Sequence, residues 1–139
     1  MRTRSRRLTL AIALALSGVA CGGGGDRPWF RGDLEAALAT ATDTDRMVMV
    51  EFYTDWCVWC RRLEEVTFAD PQVVAELEML VPIRLDAEGR GREAASRYGV
   101  DRYPTVVLLD ASGTEIGRIL GFLPPDRFLG ELRRIRDGG

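Results

Sequence analysis

The stretch DWCVWC, residues 55–60, holds two cysteines three positions apart, each preceded by a tryptophan. It follows MVMVEFY, residues 47–53, a run that is apolar except for one acid and is typical of a buried central strand. A cysteine pair that opens a helix after such a strand suits redox chemistry, because unpaired N–H groups at the helix start favour a thiolate. We therefore predict that Cys57, with its sulfur exposed, attacks a substrate and that Cys60 resolves the intermediate.

Two other roles of the cysteine pair have less support. A closed zinc site needs four ligands, whereas the chain has no histidine and its one other cysteine is Cys21. A purely structural disulfide between Cys57 and Cys60 would close a very short loop, so it would stabilise the fold only slightly. We expect neither a metal nor a cofactor.

The composition is that of one globular domain rather than a disordered chain. The 139 residues are 46% hydrophobic and 29% charged. Beyond Cys21 the chain carries 15 arginines against 21 acids, which gives that part a formal charge of −6. A mildly acidic domain is a poor match for nucleic acid, and we expect no nucleic-acid partner.

The amino terminus has the pattern of an export signal. The basic stretch MRTRSRR precedes an apolar run from Leu8 to Ala20, which is too short for a comfortable transmembrane helix. Cys21 and four glycines follow, and this arrangement resembles a bacterial lipoprotein signal, in which Cys21 becomes the lipidated first residue of the mature chain. Cleavage without lipidation and an uncleaved anchor are the alternatives.

These patterns divide the chain into three predicted parts. Residues 1–20 form the signal peptide. Residues 21–28 contain the lipidated cysteine and a glycine-rich tether, because glycine runs behave as flexible linkers. Residues 29–139 form the folded domain.

Helical and strand patterns alternate along this domain. Apolar residues with helical spacing begin after Asp33, a predicted helix cap, and a short strand is predicted from Val81 to Leu85. We predict further helices over 57–68, from Pro71 and over 90–98 before Gly99, strands over 105–110 and 114–121, and a last amphipathic helix that buries Phe128, Leu132 and Ile135. This order predicts an α/β sandwich with a central mixed β-sheet flanked by helices.

Several motifs together resemble a known family. EFYTDWCVWCRRLE at 51–64 and Tyr-Pro-Thr at 103–105 are similar to the thioredoxin family. EEVTFADPQV at 64–73, RYGVDRYPTVVLLDASG at 97–113 and GFLPPDRF at 121–128 more closely resemble the carboxy-terminal thioredoxin-like domain of DsbD-type thiol:disulfide interchange proteins. The similarity covers roughly residues 45 to 135 and implies a thioredoxin-like fold.

The resemblance also implies roles for three residues away from the cysteine pair. Pro104 would be a cis-proline beside the disulfide, and the backbone of Tyr103 would pair with an extended substrate segment. Glu51 would be a buried acid that relays the proton of Cys60, since an acid in an apolar strand is costly to bury without a task. An edge-exposed Glu51 is the alternative.

The two tryptophans of the motif are expected at the substrate-binding surface. The resemblance implies that Trp56 packs against the active-site helix and shapes the site. Trp59 stands where the family usually has a smaller residue or proline. It would cap the disulfide or contact partner proteins, although an exposed aromatic without a role is equally compatible with the sequence.

We predict an extracytoplasmic, membrane-tethered thiol:disulfide oxidoreductase that reduces protein disulfides in the periplasm or at the cell surface. Its expected partners are proteins that carry disulfides, the membrane through the lipid anchor, and a thiol electron donor in the membrane. The resemblance implies that donor, because DsbD-type domains receive electrons from a membrane segment joined to them. Two alternatives stay open: a peptide-binding or chaperone-like module without redox turnover, and a disulfide oxidase or isomerase.

Overall fold

The computed structural model describes residues 27–138. The predicted signal peptide, Cys21 and the glycines after it lie outside these residues. The elements in chain order are α1 (Leu34–Thr44), β1 (Val48–Tyr53), α2 (Val58–Arg62), a π-helical segment (Leu63–Thr67), α3 (Pro71–Leu77), β2 (Val81–Asp86), α4 (Arg92–Arg97), β3 (Thr105–Leu109), β4 (Glu115–Leu120) and α5 (Pro125–Arg136). The predicted alternation of helices and strands is confirmed.

The strands form one mixed sheet with the order β2-β1-β3-β4. β1 runs parallel to β2 and antiparallel to β3, and β4 pairs antiparallel with β3. β1 therefore has a hydrogen-bonded strand on each side, and its residues from Val48 to Phe52 are buried. The predicted mixed sheet and thioredoxin-like fold are both confirmed.

Helices cover both faces of the sheet. On one face, apolar residues of β1 such as Val50 pack with α1 and α4. On the other, Met49 packs in a second cluster with the π-helical segment, α3 and α5. Because successive strand residues point to opposite faces, Glu51 lies on the same face as Met49, the side that carries the helix of the cysteine pair.

The ends of the helices follow local signals in the sequence. Asp33 caps α1 as predicted, since its carboxylate accepts the N–H of Ala36 at 2.8 Å. Asp70 caps α3 in the same way, and Pro71 occupies the first turn. No helix within residues 27–138 is long and apolar enough to cross a membrane.

The helix predicted over 57–68 is not regular along its length. After Arg62 it becomes π-helical, and the N–H of Phe68 donates to the carbonyl of Leu63, five residues earlier, at 2.9 Å. Leu63 and Phe68 are both fully buried. The wider turn allows these residues to face the same core, so tertiary packing overrides a uniform α-helical pattern here.

Close packing of β4 against α5 provides a test of the fold. A methyl group added at Gly117 would lie 2.6 Å from Cγ2 of Ile135, a β-branched side chain with little freedom to move. We expect Gly117→Ala to lower the free energy of unfolding by about 1–3 kcal/mol through overpacking. Urea unfolding of the variant and the wild type measures the change.

Gly130→Ala in α5 is the matched control. Nothing lies within 4 Å of the added methyl group, and the better helix propensity of alanine should raise the free energy of unfolding by about 0.5–1 kcal/mol. A free energy of unfolding that rises in Gly117→Ala, as expected for Gly130→Ala, would show that Gly117 is not a site of close packing.

Candidate redox site

The two cysteines of the motif form a disulfide at the start of α2. Their Cα atoms lie 5.3 Å apart. After β1 ends, the N–H of Cys57 donates to the carbonyl of Thr54 at 3.2 Å, and this turn places Cys57 at the N-cap position of α2. The sulfur of Cys57 accepts the N–H of Cys60 at 3.1 Å. The helix start thus offers Cys57 the N–H contact that stabilises a thiolate.

The expectation that the Cys57 sulfur is exposed is wrong for this disulfide form. Cys57 is 4% exposed and Cys60 is 2% exposed. The bond draws the Cys57 sulfur back over the first turn of α2, where it meets the N–H of Cys60. Position on the helix, rather than exposure, distinguishes the two cysteines here.

Glu51 is fully buried, as predicted, and the alternative of an edge-exposed acid is wrong. The reason is the topology, because β1 is shielded by β2 on one side and β3 on the other. Its Oε2 accepts a hydrogen bond from Nε of Arg84. Its Oε1 has no hydrogen-bond partner within residues 27–138.

Arg84 is a site residue that our sequence analysis missed. It lies in β2 directly beside Glu51 in the parallel register. Its Nη1 also contacts Oε2 of Glu64 at 2.8 Å, and its guanidinium carbon lies 4.4 Å from the ring centroid of Tyr53 and 5.6 Å from that of Trp29. An arginine between the apolar residues Ile83 and Leu85 of the strand was the available signal.

Burial and charge together set the ionisation of this pair. Burial raises the pKa of Glu51 from 4.5 to about 7, although Arg84 opposes the shift. Burial also disfavours the charge on Arg84, but the carboxylates of Glu51 and Glu64 outweigh it and the pKa of Arg84 lies above its usual value. Glu51 therefore changes its charge near neutral pH.

The peptide bond between Tyr103 and Pro104 is cis, which confirms that part of the prediction. Pro104 is buried, and its carbonyl accepts the N–H of Gly121 at 2.8 Å. Pairing of β3 with its neighbours starts only at Thr105. Within the described part of the chain, the N–H and C=O of Tyr103 make no backbone hydrogen bond, which is the condition for pairing with another segment. Contact of Pro104 with the sulfurs stays a prediction.

Each tryptophan of the cysteine motif pairs with a second aromatic ring, and we call these four residues the aromatic rim. Trp56 and Tyr103 meet edge-on with ring centroids 6.2 Å apart, and Trp59 stacks on Phe122 at 5.8 Å. Trp56 is 63% exposed and Trp59 is 59% exposed. The indole N–H of Trp56 donates to Glu88 at 3.1 Å, and packing of Trp56 against the active-site helix stays a prediction. Phe122 was not predicted from the sequence as a site residue.

Comparison with known proteins gives a consistent result. A family model described as a thioredoxin-like domain matches residues 34–136. The thiol:disulfide interchange protein DsbD of Ralstonia nicotianae is 34% identical over an alignment 155 positions long with its gaps, and the alignment covers 91% of this chain and 26% of that protein. DsbD of Vibrio vulnificus is 34% identical over 108 residues, or 74% of this chain and 18% of that protein. The chain thus spans about a quarter or less of the length of these relatives.

Solved structures agree with these matches. A thioredoxin from Thermus thermophilus has a TM-score of 0.69 at 35% identity, with 80% of this chain and 88% of that chain covered. The oxidised DsbD carboxy-terminal domain of Neisseria meningitidis has a TM-score of 0.63 at 28% identity, with 74% of this chain and 93% of that chain covered.

The raised pKa of Glu51 predicts a cost to stability that depends on pH. Unfolding returns the pKa from about 7 to 4.5, so unfolding releases a proton between these values. The free energy of unfolding should therefore fall as pH rises through this window, with no cost below it and the full cost above it. We expect the wild type to lose roughly 3 kcal/mol relative to Glu51→Gln between about pH 4 and about pH 8.

Urea unfolding of both proteins at a series of pH values measures this difference. The amide of the variant does not ionise, so titration of the remaining acids cancels in the comparison. A difference that stays constant across the window would contradict a buried Glu51 that ionises near neutral pH.

Proposed function

The chain belongs to the thioredoxin-like family, as a thiol:disulfide oxidoreductase similar to part of DsbD, and we propose that it reduces protein disulfides outside the cytoplasm while tethered to a membrane. The observation that carries the proposal is the Cys57–Cys60 disulfide at the start of α2, which follows a strand that contains a buried acid. In its dithiol form this pair holds two electrons that thiol–disulfide exchange passes to a substrate.

In the first step the Cys57 thiolate attacks one sulfur of a substrate disulfide. The hydrogen bond from the N–H of Cys60 to the Cys57 sulfur favours that thiolate. The attack forms a mixed disulfide and expels the other substrate sulfur as a thiolate, which takes a proton from water.

In the second step Cys60 attacks the Cys57 sulfur of the mixed disulfide. This restores the Cys57–Cys60 disulfide and releases the remaining substrate sulfur, so the substrate leaves with two electrons. We assign to Glu51 the role of accepting the proton of Cys60. A pKa of about 7 suits a base that works near neutral pH, and its Oε1 is without a hydrogen-bond partner among the described residues.

We assign substrate binding to the aromatic rim and to the backbone of Tyr103. Large exposed apolar side chains mark interaction surfaces, and here Trp56 directly precedes Cys57 and Trp59 directly precedes Cys60. The N–H and C=O of Tyr103, which make no backbone hydrogen bond within residues 27–138, would bond an extended segment on either side of the substrate disulfide. The substrate class is therefore an extended polypeptide with a disulfide and with apolar residues beside its cysteines.

The reducing direction requires a separate electron donor. Each turnover leaves the Cys57–Cys60 disulfide, which must be reduced before the next substrate reacts. We assign this step to a thiol protein in the membrane. The reason for proposing this direction is the resemblance to DsbD-type domains, which receive electrons from a membrane segment joined to them.

The location outside the cytoplasm rests on the sequence before the described residues. The basic stretch, the apolar run and Cys21 followed by glycines have the order of a lipoprotein signal. We propose cleavage before Cys21, lipidation of Cys21, and a tether that holds the domain at the membrane surface.

An insulin assay tests the redox function. We expect the full chain to accelerate the reduction of insulin by dithiothreitol in a manner that requires both cysteines. Cys57→Ser should abolish the acceleration, since it removes the attacking sulfur. Reduced Cys60→Ser, mixed with insulin after dithiothreitol has been removed, should instead accumulate a mixed disulfide, because the second step is blocked. Mass spectrometry of the reaction detects that adduct.

Two results would contradict the proposal in different ways. Binding of insulin without cysteine-dependent turnover would indicate a binding module. A reduction potential near the roughly −120 mV of a strong oxidant, rather than near the roughly −270 mV of thioredoxin, would contradict the reducing direction while leaving the exchange chemistry intact.

Mass spectrometry of the protein purified from bacterial membranes tests the tether. We expect a mature chain that begins at Cys21 with a diacylglyceryl group on its sulfur. Cys21→Ala should release the protein from the membrane or leave it unprocessed. A soluble mature protein that starts at another residue would rule out the lipid anchor.

A further inference from the structure

A row of charged side chains leads from the first described residue to the buried acid. Nη1 of Arg27 contacts Oε1 of Glu64 at 2.7 Å, and Nη1 of Arg84 contacts Oε2 of Glu64 at 2.8 Å. Arg84 also donates through Nε to Glu51. The row alternates in sign, and every member contacts the next.

We propose that Arg27 is a positioning residue of the redox site: by pairing with Glu64 it leaves Arg84 on Glu51, so that docking of residues 27–30 sets the charge of the buried acid. An effect of Arg27 on turnover rests on the proposed role of Glu51 as a base. The coupling between Arg27 and the charge of Glu51 rests only on the contacts of the row. The segment after the glycine run is then part of the working site.

Arg84 is shared between two acids, and Arg27 affects how strongly each acid attracts it. Glu64 attracts the same guanidinium that stabilises the Glu51 carboxylate. A cation on the other oxygen of Glu64 weakens that competition, and Arg27 is this cation. The two side chains are 28% and 30% exposed, so water screens their attraction less than that of a fully exposed pair.

The position of Arg27 is fixed by the residues that follow it. The ring of Trp29 meets Phe68 edge-on with centroids 5.0 Å apart and lies next to the guanidinium of Arg84. The N–H of Phe30 donates to the carbonyl of Pro82 in β2 at 2.6 Å. Residues 27–30 are thus bound to β2 and to the region after the π-helical segment, close to the shared arginine.

Few other charges act on Glu51. Arg84 faces it from β2 and Glu64 from the π-helical segment, and Arg27 lies beyond Glu64. On the β3 side its register partner is Val106, which is apolar. The cysteines of α2 are uncharged in the disulfide form. A change in the pKa of Glu51 therefore reports chiefly on the row.

The row predicts shifts of opposite sign for its two outer members. Arg27→Gln removes a cation and lets Glu64 compete more strongly for Arg84, so the pKa of Glu51 should rise by about 0.5. Glu64→Gln removes the competing anion, so that pKa should fall. In the presence of Glu64→Gln, Arg27→Gln should have a smaller effect, because only its direct attraction for the Glu51 carboxylate then remains.

Carbon-13 NMR of the Glu side-chain carboxyls measures these shifts in the oxidised full chain in detergent. Arg31→Gln is the matched control, since Arg31 lies in the adjoining exposed stretch and has no ion pair within residues 27–138. It should leave the titration of Glu51 unchanged. A Glu51 titration that is identical in the wild type and in Arg27→Gln would overturn the proposal, as would an equal shift from Arg27→Gln with and without Glu64.

A kinetic measurement separates this proposal from the function of Glu51. We expect Arg27→Gln to move the pH midpoint for release of substrate from the mixed disulfide in the same direction as the NMR midpoint. If the NMR midpoint moves and the kinetic one does not, the coupling stands and the role of Glu51 as base fails. If Cys57→Ser abolishes turnover but Arg27→Gln moves neither midpoint, the redox function stands and the coupling fails.

Discussion

The structure depends on how one carboxylate is accommodated in its central strand. Glu51 is enclosed by strands on both sides and by a helical layer above it, and a buried carboxylate needs a partner to be tolerated. Arg84 provides that partner from the same register position of β2. The guanidinium then needs surroundings of its own, which Glu64, Tyr53 and Trp29 supply. One ion pair thereby connects the sheet, the π-helical segment and the amino-terminal segment.

One face of the sheet contributes mainly to stability, and the other face holds the buried acid. The face covered by α1 and α4 holds an apolar core that includes Val50 and Phe52. The opposite face places apolar residues such as Met49 beside the Glu51–Arg84 pair. Hydrophobic burial on the first face supplies stability without polar groups to satisfy. The second face can then carry a buried acid with one oxygen that no group in the described part of the chain hydrogen-bonds, although such an oxygen costs stability.

Signals that act over a few residues could be predicted from the sequence. They include the cap at Asp33 and the acid within an apolar strand, and the Tyr-Pro-Thr motif gave the cis-proline by family resemblance. What could not be predicted depends on residues that are distant in the chain. Arg84 can be identified as the partner of Glu51 only when the parallel register places the two residues side by side. The π-helical turn before Phe68, the burial of Cys57 and the aromatic rim likewise depend on tertiary packing.

The three-residue spacing of Cys57 and Cys60 has a thermodynamic consequence. Opening a disulfide that closes so short a loop gives the unfolded chain little additional conformational freedom. The oxidised and reduced forms therefore differ in stability through local contacts at α2 and β1 rather than through chain entropy. In a cycle that joins folding and reduction, any local contact that favours the dithiol raises the reduction potential and the stability of the reduced form by the same free energy. The domain can therefore exchange electrons repeatedly while its sheet stays intact.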